Sequence, residues 1–158
     1  MSDAVPENLE RIQQELNAMI GPIGEPDSVP VDLISVVRLA LAVEDFDPIH
    51  YDAKAAQARG YRGIVAPWPI LAFLRYNCTQ VEDTRKFSFG RATVHGEDSC
   101  EFAEPIIVGD VITVSTAISD AKLKQGRSGL LGLVTSERRY TNQLGQFCAV
   151  MRTISVRR

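Results

Sequence analysis

Val111-Ile112-Thr113-Val114-Ser115-Thr116-Ala117-Ile118-Ser119-Asp120-Ala121 is the stretch that decides the fold. Ile112, Val114, Thr116 and Ile118 recur at every second position, the period of a strand with one buried face. Pro105 and Gly109-Asp110 punctuate the chain before it, and Gly126-Arg127-Ser128-Gly129 reads as the turn after it. Three more segments have the same character. In 94–104, Cys100 and Phe102 alternate with Glu101 and Ala103. In 130–140, Leu131, Leu133 and Thr135 alternate with Gly132, Val134 and Ser136. In 147–156, Phe147, Ala149 and Met151 fall on one face and Cys148, Val150 and Ile154 on the other. Asn142-Gln143-Leu144-Gly145 is a second turn. Alternating segments broken by turns at this pace predict an antiparallel meander.

Upstream, Pro67-Trp68-Pro69 opens a helix in which Ile70, Leu71, Phe73, Leu74 and Cys78 cover most of the circumference. A helix apolar nearly all round is one that a sheet wraps, and Trp68 reads as part of that core. Residues 52–59 are alanine-rich and predict a short helix, with Asp52 as its N-cap and Gly60 closing it. Residues 31–43 are apolar and rich in β-branched side chains. Their early part reads as a strand, while 37–43 stays open between strand and helix. Leu9, Ile12, Leu16 and Met19/Ile20 predict a helix over 6–20, ended by Gly21-Pro22 and Gly24-Glu25-Pro26. The expected organisation is an N-terminal helix and linker (1–26) and one domain (27–158). Its architecture is α+β: an antiparallel sheet of five to six strands around a central helix, commonly called the hotdog fold.

The totals fit one soluble domain. The chain has 158 residues, 45% of them apolar and 23% charged. A net charge of −3 gives no basic face for nucleic acid. Cys78, Cys100 and Cys148 are widely spaced and form no metal-ligand pattern, so they read as reduced buried thiols, with neither metal nor cofactor expected. The N-terminus is acidic and lacks a signal-peptide core, and no apolar run approaches the roughly 20 residues of a membrane span. The cytoplasm is the expected compartment.

The chemistry concentrates in Asp45-Phe46-Asp47-Pro48-Ile49-His50-Tyr51-Asp52, which holds three carboxylates, one of two histidines and a stiffening proline. Carboxylate and imidazole together are the usual parts of a general acid–base site. His95, beside Gly96, reads as a strand or hairpin residue. Arg59, Arg62, Arg85 and Lys86 are candidates for a phosphate rim, though single basic residues are usually just solvated.

This stretch resembles the motif of the MaoC-like dehydratases and (R)-specific enoyl-CoA hydratases: aspartate, any residue, asparagine, proline, any residue, histidine, any residue, aspartate. Gly60-Tyr61, Gly63-Ile64-Val65-Ala66-Pro67, His95-Gly96, Phe102 leading to Pro105, and Val108-Gly109-Asp110 match further, in order. The resemblance implies reversible hydration of a trans-2-enoyl thioester, with Asp45 and His50 as the catalytic pair. It implies Asp47, Gly63, Pro67 and Trp68 at the substrate. It also implies an acyl-CoA or acyl-ACP substrate and a homodimer, or a heterodimer with another hotdog subunit. Two positions depart from the family pattern. Ala66-Pro67 stands where a histidine-glycine pair is frequent. Proline has no N–H, so the oxyanion donor moves, with Trp68 next in line. Asp47 replaces asparagine and brings a charge near Asp45. Three readings follow: hydratase, non-catalytic hotdog subunit completing a partner's site, and thioesterase.

Overall fold

The computed structural model describes residues 7–76, 89–90, 92–127 and 129–158. The element order is α1 (Glu7–Asn17), β1 (Gly21–Pro30), α2 (Leu33–Ala42), a 3-10 turn (Pro48–His50), α3 (Ala53–Ala58), α4 (Ile70–Tyr76), β2 (Thr93–Phe102), β3 (Val111–Gly126), β4 (Gly129–Asn142) and β5 (Phe147–Arg157). The strands form one antiparallel sheet in the order β1-β3-β4-β5-β2. This is the expected α+β hotdog architecture. The four C-terminal strands lie where their alternation puts them. Ile112, Val114, Thr116 and Ile118 are all buried on one face of β3.

The first strand lies earlier than expected. Gly21–Pro30 is β1, although its three prolines and two glycines read as breakers. It sits at the edge of the sheet and is irregular between Ile23 and Asp27. An edge strand tolerates residues that cannot donate outward. Residues 31–43, expected to begin as a strand, instead form α2. Asp32 is the reason. Its carboxylate caps the helix, accepting from Ser35 N at 2.9 Å and from Ser35 Oγ. Val36 and Ala40, four apart, are the buried stripe.

The core fills the space between α2, α4 and the sheet. Ile70, Leu71 and Leu74 of α4 pack with Val36, Ile112, Val114 and Tyr140. Tyr140 is fully buried and satisfies its hydroxyl by donating to the Leu71 carbonyl at 3.1 Å. The helix is not apolar-buried all round, however. Phe73 is partly exposed and Trp68 is 68% exposed, against the core placement expected for it. The buried face of α4 is the Ile70/Leu71/Leu74 side, while Trp68 borders the open space between α4 and β2. Cys78 lies outside the described residues. Cys100 and Cys148 are free thiols, half-buried and buried. Burial is the largest cause raising both thiols above their ordinary range.

A second, smaller core joins α1 to the far end of the β3–β4 hairpin, where Ile12 and Leu16 meet Ile118, Ala121 and Val134. Pairing of β1 with β3 ends at Ile118. Beyond it, the Gln13 amide donates to the Ala121 carbonyl (3.3 Å) and accepts from Leu123 N (3.1 Å), as a paired strand would.

Candidate functional site

Asp45 is positioned by the way α2 ends. Glu44 adopts a left-handed conformation, φ 56°. Glu44 N donates to Leu41 O and Asp45 N donates to Ala40 O at 2.9 Å. This pair of bonds is a Schellman closure, with Asp45 as its last residue. α3 ends the same way: Gly60 has φ 87°, its N–H donates to Gln57 O, and Tyr61 N donates to Ala56 O.

The next seven residues are held by their own side chains. Asp45 Oδ1 accepts from Asp47 N at 3.2 Å, and Asp47 Oδ1 accepts from Ile49 N at 3.1 Å, capping the 3-10 turn. Proline at the first position of that turn has no N–H to leave unpaired. Asp47 Oδ2 receives Arg59 Nη1 at 2.6 Å. The Arg59 hydrogen bond, then the Ile49 N–H, hold the Asp47 carboxyl below its ordinary value. Its charge is therefore paired rather than directed at Asp45. Tyr51 Oη donates to the Asp45 carbonyl at 2.7 Å, closing the loop on itself. Asp52 caps α3, as its position in the sequence indicated.

This folding brings Asp45 Oδ2 within 3.1 Å of His50 Nε2. His50 is 5% exposed, whereas the Asp45 side chain is 40% exposed. The imidazole is the floor and the carboxylate is the accessible rim. His50 Nδ1 lies 2.7 Å from Val65 O. A carbonyl can only accept, so Nδ1 carries the hydrogen. In a neutral ring Nε2 would then be an acceptor facing a carboxylate, itself an acceptor when ionised. The contact is a hydrogen bond only if one proton lies between Nε2 and Oδ2. A hydrogen bond between Asp45 and His50 thus places one proton between the two side chains.

Val65 is itself clamped. Its N–H donates to Ile49 O at 3.0 Å, while the flanking Ala66 N donates to Ile106 O and Val108 N to Ile64 O. Gly63 permits this approach: a Cβ there would come within 3.0 Å of Ile107 Cγ2. Behind the 106–108 segment sits Asp110, 1% exposed. It accepts from Ile107 N at 2.9 Å, from Arg62 Nη2 at 2.7 Å and from Gln143 Nε2 at 3.0 Å. A buried carboxylate is tolerable because every side of it meets a donor. Of the four candidate rim cations, Arg59 and Arg62 are thus committed to Asp47 and Asp110. Arg85 and Lys86 lie outside the described residues.

Two clefts flank the N-terminal end of α4. One, of about 270 Å³, is lined by Tyr61, Ala66, Trp68, Leu71, Phe102 and Glu104 among others. The other, of about 510 Å³, runs between α4 and β2. Trp68, Leu71 and Phe102 line both; neither is lined by Asp45 or His50. At this end of α4, Pro67 and Pro69 have no N–H, and the Trp68 N–H donates to no group among the described residues. Among the expected site residues, the structure joins Asp45, Asp47 and His50 in one network. Gly63 belongs to the packing behind it, and Trp68 stands at the clefts. Sequence reasoning missed Glu44, Tyr51, Val65 and the role of Asp110. Among the described residues no three His, Cys, Asp or Glu side chains are gathered to hold a metal, and no helix is long and apolar enough to cross a membrane.

Comparison with known proteins agrees with this fold. A family profile described as "FAS1-like, dehydratase domain region" matches residues 18–151. A UPF0336 protein of Thermobifida fusca is 29% identical over 108 residues, 66% of this chain and 70% of that one. Matches to other UPF0336 proteins span from 61% to 82% of their lengths. Among solved structures, a MaoC-like dehydratase is 25% identical with a TM-score of 0.73, covering 90% of this chain. The chain spans 43% of that protein's length. The C-terminally truncated HadBC (3R-hydroxyacyl-ACP dehydratase) complex from Mycobacterium tuberculosis shares the fold, at 22% identity and a TM-score of 0.72 over 87% of this chain and 95% of that one. The chain belongs to the FAS1-like dehydratase domain region family, within the MaoC-like hotdog dehydratases and hydratases.

Proposed function

We propose that the protein is a cytoplasmic hydro-lyase that adds water to a trans-2-enoyl thioester, carried on CoA or acyl carrier protein, or removes it from the (R)-3-hydroxyacyl product. The observation that carries this reading is the 3.1 Å contact between Asp45 Oδ2 and His50 Nε2, with Nδ1 tied to Val65 O. A pair holding one proton is acid and base at once. As the water oxygen bonds to C3, the proton it sheds passes to the unprotonated partner. The proton already held passes to C2, so the pair ends as it began. A positioned acid–base group is worth on the order of 10²–10⁴ in rate. Negative charge collecting on the thioester oxygen calls for a fixed donor, and the Trp68 N–H is the group at hand. The test is hydration of a panel of enoyl-CoAs by the purified chain. Asp45→Asn and His50→Gln each lower kcat by about 10²–10⁴ while the fold is retained. Turnover at the wild-type rate in both variants refutes the reading.

A second reading has its own support. Among the described residues neither cleft is lined by the catalytic pair, and on this reading part of the substrate wall comes from a partner. The HadBC structure is a complex of hotdog subunits. On this reading the chain works as a homodimer or beside a different hotdog subunit, and the partner supplies the missing wall. Assays of the chain alone and co-expressed with a second hotdog subunit separate the two. Activity appearing only in the mixture, and surviving Asp45→Asn, makes this chain the non-catalytic member. Release of free CoA from a saturated acyl-CoA instead identifies a thioesterase.

A further inference from the structure

We infer that the cleft between α4 and β2 reads the far end of the substrate's acyl tail, and that Asp98 selects tails ending in a hydroxyl over plain alkyl ends. The inference rests on the hydro-lyase reading for the identity of the ligand as an acyl thioester, but not on turnover.

The cleft starts at Trp68, whose N–H donates to no group among the described residues, and the described walls are apolar: Pro69, Leu71, Ala72, Phe102 and Met151. Among the described residues, one charged side chain lines it, that of Asp98. Phe102, Cys100 and Asp98 follow one another on the same face of β2, opposite Ala149, Met151 and Thr153 of β5. Four residues of strand span roughly 13 Å, so Asp98 stands well along the cleft from Phe102.

The polar end is a built feature of the strand. His95 and Asp98 are three residues apart, and on a regular strand they would point to opposite faces. The pairing of β2 with β5 shifts between His95 and Glu97. A bulge of this kind resets the alternation and re-aims a side chain. It brings His95 Nε2 to 3.4 Å from Asp98 Oδ2. Gly96 makes the bulge possible, because a Cβ there would lie 2.9 Å from the Ile154 carbonyl oxygen. Asp98 Oδ1 accepts from Thr153 Oγ1 at 2.6 Å. The histidine contact is an ion-pair approach, so Oδ2 takes no hydrogen bond among the described residues. A carboxylate has about four acceptor sites, and here most of them are left to water. An alkyl tail filling the cleft would strip that water and return nothing. A terminal hydroxyl would donate in its place. Leaving a charged acceptor unpaired is the larger penalty of the two.

The test measures binding by calorimetry on the full chain, using saturated thioesters that cannot be hydrated: octanoyl-, decanoyl- and dodecanoyl-CoA, each beside its ω-hydroxy form. At the best-fitting length the ω-hydroxy form binds about 10-fold tighter. Asp98→Val removes the preference, and the isosteric Asp98→Asn reduces it. Equal binding of both forms at all three lengths overturns the inference. So does a preference that survives both substitutions, or failure of every thioester to bind. The outcomes separate from those of the hydro-lyase reading. Preferential binding without hydration of any enoyl-CoA, by the chain alone or with a second hotdog subunit, keeps the tail reader and refutes the hydratase. Hydration with indifferent binding does the reverse.

Discussion

Glu44 and Gly60 occupy the same place in two successive helix ends. Each is the left-handed residue of a Schellman closure, with φ of 56° and 87°, and each is followed by a residue donating back to the helix. Only one of them is a glycine. A left-handed conformation costs a residue with a side chain about 1–2 kcal/mol, and glycine gives back part of that through its freer unfolded state. Glu44→Gly therefore stabilises the protein by about 0.5–1 kcal/mol, read as a higher urea midpoint with an unchanged slope. A lower midpoint would show that the Glu44 side chain contributes more than its backbone costs.

The Tyr51 hydroxyl ties the end of the motif to its beginning at the Asp45 carbonyl. Tyr51→Phe removes one hydrogen bond and no volume. The expected loss is about 1 kcal/mol of stability. If Asp45 must be held within a fraction of an ångström of the water, kcat falls further than KM changes. The measurement is kcat and KM on the best enoyl-CoA, beside the denaturation curve. A change in KM alone would place Tyr51 in substrate binding instead.

Asp110 supports His50 at two removes: it holds Ile107, which pairs with Val65, and Val65 O holds the imidazole. Asp110→Ala leaves the Ile107 N–H and the Gln143 amide without their buried acceptor, and costs about 2–4 kcal/mol. Arg62→Gln keeps an amide donor at Asp110 but takes away its counter-charge, and costs about 1–3 kcal/mol. Urea unfolding of both variants checks the order. If Arg62→Gln is the worse of the two, the ion pair rather than the backbone anchor dominates.

The Asp47 carboxyl is held below its ordinary value of 3.8, first by Arg59 and then by the Ile49 N–H. A group whose folded pKa is depressed adds stability above its unfolded pKa and loses it as pH falls through the folded one. Asp47→Asn keeps an acceptor for Ile49 but loses the charge on Arg59. Wild type is therefore more stable than the variant at neutral pH. The difference begins to shrink as pH falls below about 4 and vanishes only below the depressed folded pKa. Unfolding curves of the two proteins at several pH values test the sign. A gap that persists in acid would show that size or geometry, not charge, matters at this position.

Much of this was legible because it is local. Period-two alternation placed β2 to β5, and Asp52 and Gly60 framed α3 from their residue types alone. The motif spacing brought Asp45 and His50 into one network because five residues and a proline leave the chain few ways to run. What escaped depended on neighbours distant in sequence. Gly21 to Pro30 carries every mark of a loop, and only its place at the sheet edge makes it a strand. Trp68 is exposed because α4 turns its other side to the core. Asp110 reads as a turn residue until Arg62 and Gln143 arrive from elsewhere in the chain. The 31–43 run was decided by Asp32 and Ser35, a cap small enough to be outweighed on paper by the β-branched residues after it.

The prolines of β1 bear on where the sheet could take up another strand. Pro22, Pro26 and Pro30 take three N–H donors from the ten residues of that edge strand, so a strand arriving there would find fewer donors to pair with. The opposite margin, β2, has no proline and is exposed along most of its length. Among the described residues, the β2 margin is thus uncovered and the β1 margin is interrupted by prolines. A strand arriving at the sheet would therefore find a more regular ladder to pair with at β2 than at β1.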